Sequence, residues 1–82
     1  MVNYITSQKV EIDIHNMKRA EAKTFLERFL SNANGNVKEI IVIHGYASGT
    51  VLRDMVRRSL KHRRIKQKII SLNPGVTTLL LD

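Results

Sequence analysis

Asp13 and His15, two residues apart, and His44, followed directly by Gly45, are the side chains of this 82-residue sequence best suited to moving protons. Imidazoles exchange protons near neutral pH. A carboxylate two positions along an extended strand shares a face with its histidine, so Asp13 can orient His15 or act as a base itself. Beyond His44 runs Gly45-Tyr46-Ala47-Ser48-Gly49-Thr50. Its two glycines allow backbone conformations and close approaches that side chains would block. A helix starting just after Gly49 would direct unpaired N–H groups, and the positive end of its dipole, over this loop. Phosphodiester cleavage needs such parts: a base for the nucleophile, an acid for the leaving oxygen and positive groups around the phosphoryl oxygens. His15 and His44 suit either proton role, and Arg53 adds a guanidinium for the phosphate. Two histidines and a carboxylate also form a possible donor set for a divalent metal, but no single element carries ligand-type spacing. No metal site or cofactor is therefore expected.

These groups must be held by the elements around them. Val10-Glu11-Ile12-Asp13-Ile14-His15 alternates with period two and predicts a strand that buries Val10, Ile12 and Ile14. Ala22, Phe25, Leu26, Phe29, Leu30 and Ala33 recur at helical spacing, predicting a helix from about Met17 or Lys18 to Asn34, with Asn16 as N-cap and Gly35 as C-cap. Both phenylalanines belong to its core stripe. The apolar run ending at Ile43 predicts a buried strand over residues 37–43. A second helix is expected from Gly49 to His62, with strands over 65–72 and 76–81. The turn Asn73-Pro74-Gly75 joins these two strands into an antiparallel hairpin. The order is β-α-β-α-β-β. Right-handed crossovers make the first two strands parallel and put both helices on one face, giving a two-layer α/β sandwich with a four-stranded mixed sheet. His15 and His44 then end parallel neighbours at the carboxyl edge where such folds bind ligands. Residues 1–8 show no period and read as a flexible lead-in to a domain over 9–82.

Charge narrows the partner. Arg53, Arg57, Arg58, Lys61, Arg63, Arg64, Lys66 and Lys68 face only Asp54 in their stretch, which thus carries the whole net charge of +7. A one-sided basic field suits a polyanion, with nucleic acid first and an anionic membrane surface or an acidic protein after it. On the expected helix Arg53, Arg57, Lys61 and Arg64 share a stripe that could follow one phosphate backbone. Tyr46 is the candidate for stacking on a base. Cysteine is absent, which removes disulfides and thiolate metal sites. No apolar run approaches the roughly 18 residues of a membrane span, and the first residues lack the pattern of a signal peptide. A cytoplasmic location is expected, with no membrane partner.

Ile12-Asp13-Ile14-His15 resembles the Leu-Asp-Leu-His motif that opens the Smr (small MutS-related) domain. His44-Gly45-Tyr46-Ala47-Ser48-Gly49 resembles its His-Gly-x-Gly-x-Gly loop, and Gly75-Val76-Thr77 the Gly-Val-Thr that begins its last strand. The similarity runs from residue 9 to residue 82. Asn16 and Ala47 stand where the family has glycines, and the loop is one residue longer before Leu52-Arg53. The resemblance implies a fold similar to the C-terminal domain of translation initiation factor three. It further implies an endonuclease of DNA or RNA, with a non-catalytic nucleic-acid-binding module as the alternative, including one that meets a ribosome-associated surface or an acidic protein. Asp13, His15 and His44 are the expected catalytic residues. Gly45, Tyr46, Ser48, Gly49, Thr50, Arg53, Arg57, Lys61 and Arg64 are the expected nucleic-acid and phosphate contacts.

Overall fold

The computed structural model describes residues 1–47 and 49–82. Its elements are β1 (Val2–Tyr4), β2 (Lys9–Asp13), α1 (Arg19–Asn32), β3 (Glu39–Ile43), α2 (Val51–Asp54), β4 (Ile65–Ile70) and β5 (Val76–Leu81). α2 continues through Met55–Ser59 as a widened π turn. The strands form one sheet in the order β1-β2-β3-β5-β4. β2 and β3 run parallel, with Asp13 opposite Ile43, and the other pairs are antiparallel.

Period-two alternation decides which face is covered. Val10, Ile12, Ile40, Val42, Leu79 and Leu81 point to the helix side and are buried. They pack with Ala22, Leu26 and Leu30 of α1 and with Met55, Val56 and Leu60. The alternate positions of β2, β3 and β5 are only partly buried, so both helices lie on one face. The α/β sandwich expected from the sequence is therefore present.

Its details differ in three places. The sheet has five strands, not four, because Val2–Tyr4 pairs with β2 and Tyr4 meets Phe29 with ring centroids 6.5 Å apart. α1 is shorter than the apolar stripe suggests, and neither Asn16 nor Gly35 caps it. Lys18 stands at the N-cap without a side-chain bond, because the chain first closes a turn from Met17 N–H to the Ile14 carbonyl, 2.9 Å. At the other end the Arg64 guanidinium donates to the carbonyls of Ala33 and Val37, both at 3.0 Å. The second helix ends at Ser59, because Leu60 turns extended and its N–H reaches the Met55 carbonyl at 2.8 Å. Lys68 of β4 then donates from Nζ to the carbonyls of Arg57 and Leu60, at 3.2 and 2.5 Å, closing the helix end.

Candidate functional site

Parallel pairing of β2 with β3 brings the two histidine-bearing ends together. A Cβ built at Gly45 would stand 3.4 Å from Cβ of His15, so the segment after β2 touches the loop after β3. Both line an open cleft of about 670 Å³, together with Lys18 and Arg19 from the start of α1, Val51 and Leu52 of α2, and Asn73 and Gly75 of the hairpin turn.

Asp13 grips His15 twice. Its Oδ1 accepts the His15 backbone N–H at 3.0 Å and is hydrogen-bonded to Nδ1 of the same residue. Burial pushes the Asp13 carboxyl up, but the His15 side-chain and backbone bonds and nearby positive charge outweigh it, and the group ends below its usual 3.8. An ionised carboxylate only accepts, so His15 carries its proton on Nδ1. In the neutral ring Nε2 is the nitrogen that keeps the lone pair, on an exposed side chain at the cleft wall.

His44 is held differently. It is 3% exposed, with Nδ1 2.9 Å from the Gly45 carbonyl and Nε2 2.8 Å from the Thr77 hydroxyl. Burial is the main reason its pKa lies below the usual 6.5, with the charges of Arg57 and Arg53 acting in the same direction against the Gly45 bond. The unfolded chain therefore binds the His44 proton more readily than the folded one. Stability should fall as pH drops below 6.5 and level off once the folded imidazole is itself protonated, with no contribution above that range. Thermal unfolding of the wild type and of His44→Gln between neutral pH and about pH 5 checks this, since the extra loss should vanish in the variant. Asp13 begins to weaken the fold only as pH approaches 3.8, which keeps the two effects apart.

The loop takes its shape from its glycines and from the hairpin. Gly45 and Gly49 have φ of +75° and +110°, conformations disfavoured for other residues. The Gly75 carbonyl accepts from both His44 and Gly45 N–H, at 2.9 and 3.0 Å, and Gly49 N–H reaches the Tyr46 carbonyl at 3.2 Å. Tyr46 is 60% exposed on the cleft rim. Thr50 bonds Asp54 through its hydroxyl, 3.2 Å. Ser48, named from the sequence as a loop contact, lies outside the described residues.

The expected basic stripe of Arg53, Arg57, Lys61 and Arg64 does not form, because the helix ends before Lys61. Arg53 pairs with its neighbour Asp54 at 3.2 Å. Arg57 donates from Nε to the Thr77 hydroxyl at 2.8 Å. Arg64 and Lys68 serve the helix ends described above. Arg58, Lys61, Arg63 and Lys66 of the same stretch are exposed. Lys61 to Lys66 precede or open β4, where Ile65 pairs with Leu81, whereas Val76 at the other end of β5 pairs with Ile43 beside the cleft. A strand of this length puts roughly 20 Å between the two ends.

Lys18 and Arg19 carry no motif in the sequence, and Thr77 stands there only as the end of Gly75-Val76-Thr77, with no role at the site. The two cations sit just after β2, at the carboxyl edge that already held His15, so their position in the connection was the available signal. Thr77 lies 33 positions from His44 and only the fold joins them. Among the described residues no group of three or more carboxylate, imidazole or thiol side chains is placed to hold a metal ion, and no helix is long and apolar enough to cross a membrane.

Comparison with known proteins gives a consistent result. The Smr domain model matches residues 12–76. The endonuclease MutS2 proteins of Lactococcus lactis subsp. cremoris strain MG1363 and of Lactococcus lactis subsp. lactis strain IL1403 are each 37% identical over 65 residues, which is 76% of this chain and 8% of theirs. The chain thus spans a small fraction of these relatives. The crystal structure of the Smr domain of Thermus thermophilus MutS2 superposes with a TM-score of 0.76 at 23% identity, over 88% of this chain and 96% of that one, which establishes the likeness of fold.

Proposed function

The chain belongs to the Smr domain family, and from that premise we propose that it is a nucleic-acid endonuclease working through Asp13 and His15. The observation that carries this reading is the pairing itself: a histidine whose Nδ1 is held by an ionised carboxylate presents Nε2 at the wall of a cleft flanked by cations. A base so placed can take the proton of an attacking hydroxyl, either water or a ribose 2′-OH, as the new P–O bond forms, the old P–O bond breaks and the leaving oxygen takes a proton from solvent. Lys18 and Arg19 meet the charge that gathers on the phosphoryl oxygens. His44, enclosed and bonded through both nitrogens, positions the loop and takes no proton from substrate. The name endonuclease borne by the MutS2 relatives supports the same class of reaction.

Lys61, Arg63 and Lys66 supply the second part of the reading. They stand at the end of the sheet away from the cleft, so an anion touching both must be polymeric. The test is cleavage of single-stranded RNA, structured RNA and supercoiled DNA, each with EDTA or with magnesium or manganese. Cutting that persists in EDTA is the expected result, because the base is a side chain. RNA cut while its 2′-deoxy counterpart stays intact would identify the ribose hydroxyl as nucleophile. Intact substrates with a clear mobility shift would instead establish the non-catalytic binding module, for which the exposed cations suffice.

A further inference from the structure

The buried bonds around His44 can run in one direction only. Arginine donates and cannot accept, so the Thr77 oxygen must accept from Arg57 Nε. The single hydroxyl proton of Thr77 is then free to go to His44 Nε2, 2.8 Å away. At the far side of the ring Nδ1 faces the Gly45 carbonyl, an acceptor only, at 2.9 Å. The Gly45 carbonyl therefore fixes the neutral tautomer with the proton on Nδ1, and the Thr77 hydroxyl proton meets the lone pair this leaves on Nε2. No buried side-chain nitrogen or oxygen is left unpartnered among the described residues.

The last bond has a consequence for the loop. The Gly45–Tyr46 peptide is trans, so its N–H and its carbonyl point in opposite directions. With the carbonyl turned in to the buried ring, the Tyr46 N–H points away from it, and Gly45 and Tyr46 both line the cleft. The φ of +75° that Gly45 adopts permits this orientation. We propose that Arg57, Thr77 and His44 form a one-way hydrogen-bond relay that fixes the Tyr46 amide as an anion donor in the cleft. Thr77 and Arg57 are then positioning residues, acting on the ligand through a peptide neither of them touches. That the anion is a phosphoryl oxygen of nucleic acid rests on the reading above, whereas the relay does not.

Long-range proton–nitrogen correlation spectra of the ¹⁵N-labelled chain report the tautomer directly, and titration with inorganic phosphate reports the Tyr46 amide. The wild type should carry the His44 proton on Nδ1, and phosphate should move the Tyr46 amide signal. Thr77→Val keeps the side-chain shape but cannot donate. It should mix the tautomers and weaken the phosphate response about fivefold to tenfold, the equivalent of one lost hydrogen bond. Thr77→Ser restores the hydroxyl and should restore both signals. A wild-type His44 protonated on Nε2 would overturn the relay, and that measurement needs no variant. So would a Thr77→Val chain with an unchanged tautomer and phosphate response. If Thr77→Val does not fold, Arg57→Met removes the first donor and should disturb the same two signals. A relay that behaves as described in a chain that cuts no nucleic acid would leave the inference standing and remove the endonuclease reading. A chain that cuts nucleic acid with His44 in the other tautomer would do the reverse.

Discussion

His15→Ala is expected to lower the cleavage rate by roughly 10²–10⁴, the usual worth of a positioned general base, while leaving nucleic-acid affinity within a few-fold of wild type. The two effects separate because His15 adds little to binding. In the proposed mechanism the backbone is held instead by Lys18 and Arg19, which line the cleft, and by the exposed group near the start of β4. Asp13→Asn should cost a loss of similar order by a different route. An amide can turn its NH₂ group toward Nδ1, which stabilises the tautomer protonated on Nε2 and removes the lone pair from the cleft side. Rates measured at saturating substrate, beside affinities from fluorescence anisotropy, decide the matter. A His15→Ala chain that cuts at the wild-type rate would remove the dyad from the mechanism.

The second large effect concerns cations that look alike in the sequence. Arg64→Ala leaves the carbonyls of Ala33 and Val37 without the guanidinium that both now share. Charge-assisted bonds of this kind set the expected loss at about 2–3 kcal/mol, which in a domain of this size lowers the melting temperature by roughly 10–20 °C. Lys61→Ala, Arg63→Ala and Lys66→Ala together should leave the melting temperature almost unchanged, since all three side chains are exposed. Their expected effect lies in binding: the slope of log affinity against log salt should fall by roughly two to three units. Calorimetry and salt titration of both variants form one experiment with opposite expected readings. A triple variant that melts early and binds normally would reverse the division.

That division explains how much could be read in advance. The alternation of Val10, Ile12 and Ile14 and the apolar run to Ile43 report local periodicity, which buried strands must satisfy. The parallel pair and the meeting of His15 with Gly45 follow from them. The three-residue β1 is too short to show a period, and it exists because β2 offers an open edge. The end of the second helix depends on Lys68 reaching back from the next strand, so its own residues predict that it continues. His44 shows the same limit. Its residue type announces proton chemistry, but its burial and its bond to a threonine 33 positions away belong to the tertiary structure. A basic side chain likewise reads as a ligand for anions until the fold supplies carbonyls for it.

β5 is the last strand in the chain but lies inside the sheet, between β3 and β4. It carries Thr77, and the turn before it supplies the Gly75 carbonyl that ties down His44 and Gly45. The cleft is thus completed by a strand made after the other four in its sheet. A nascent chain that has emerged only as far as β4 has the Asp13 and His15 side chains but lacks the strand that shapes the loop opposite them. These contacts join positions far apart along the polymer, so they close late and raise the contact order of the fold. Vectorial synthesis thereby withholds the complete cleft until β5 has emerged and inserted between β3 and β4.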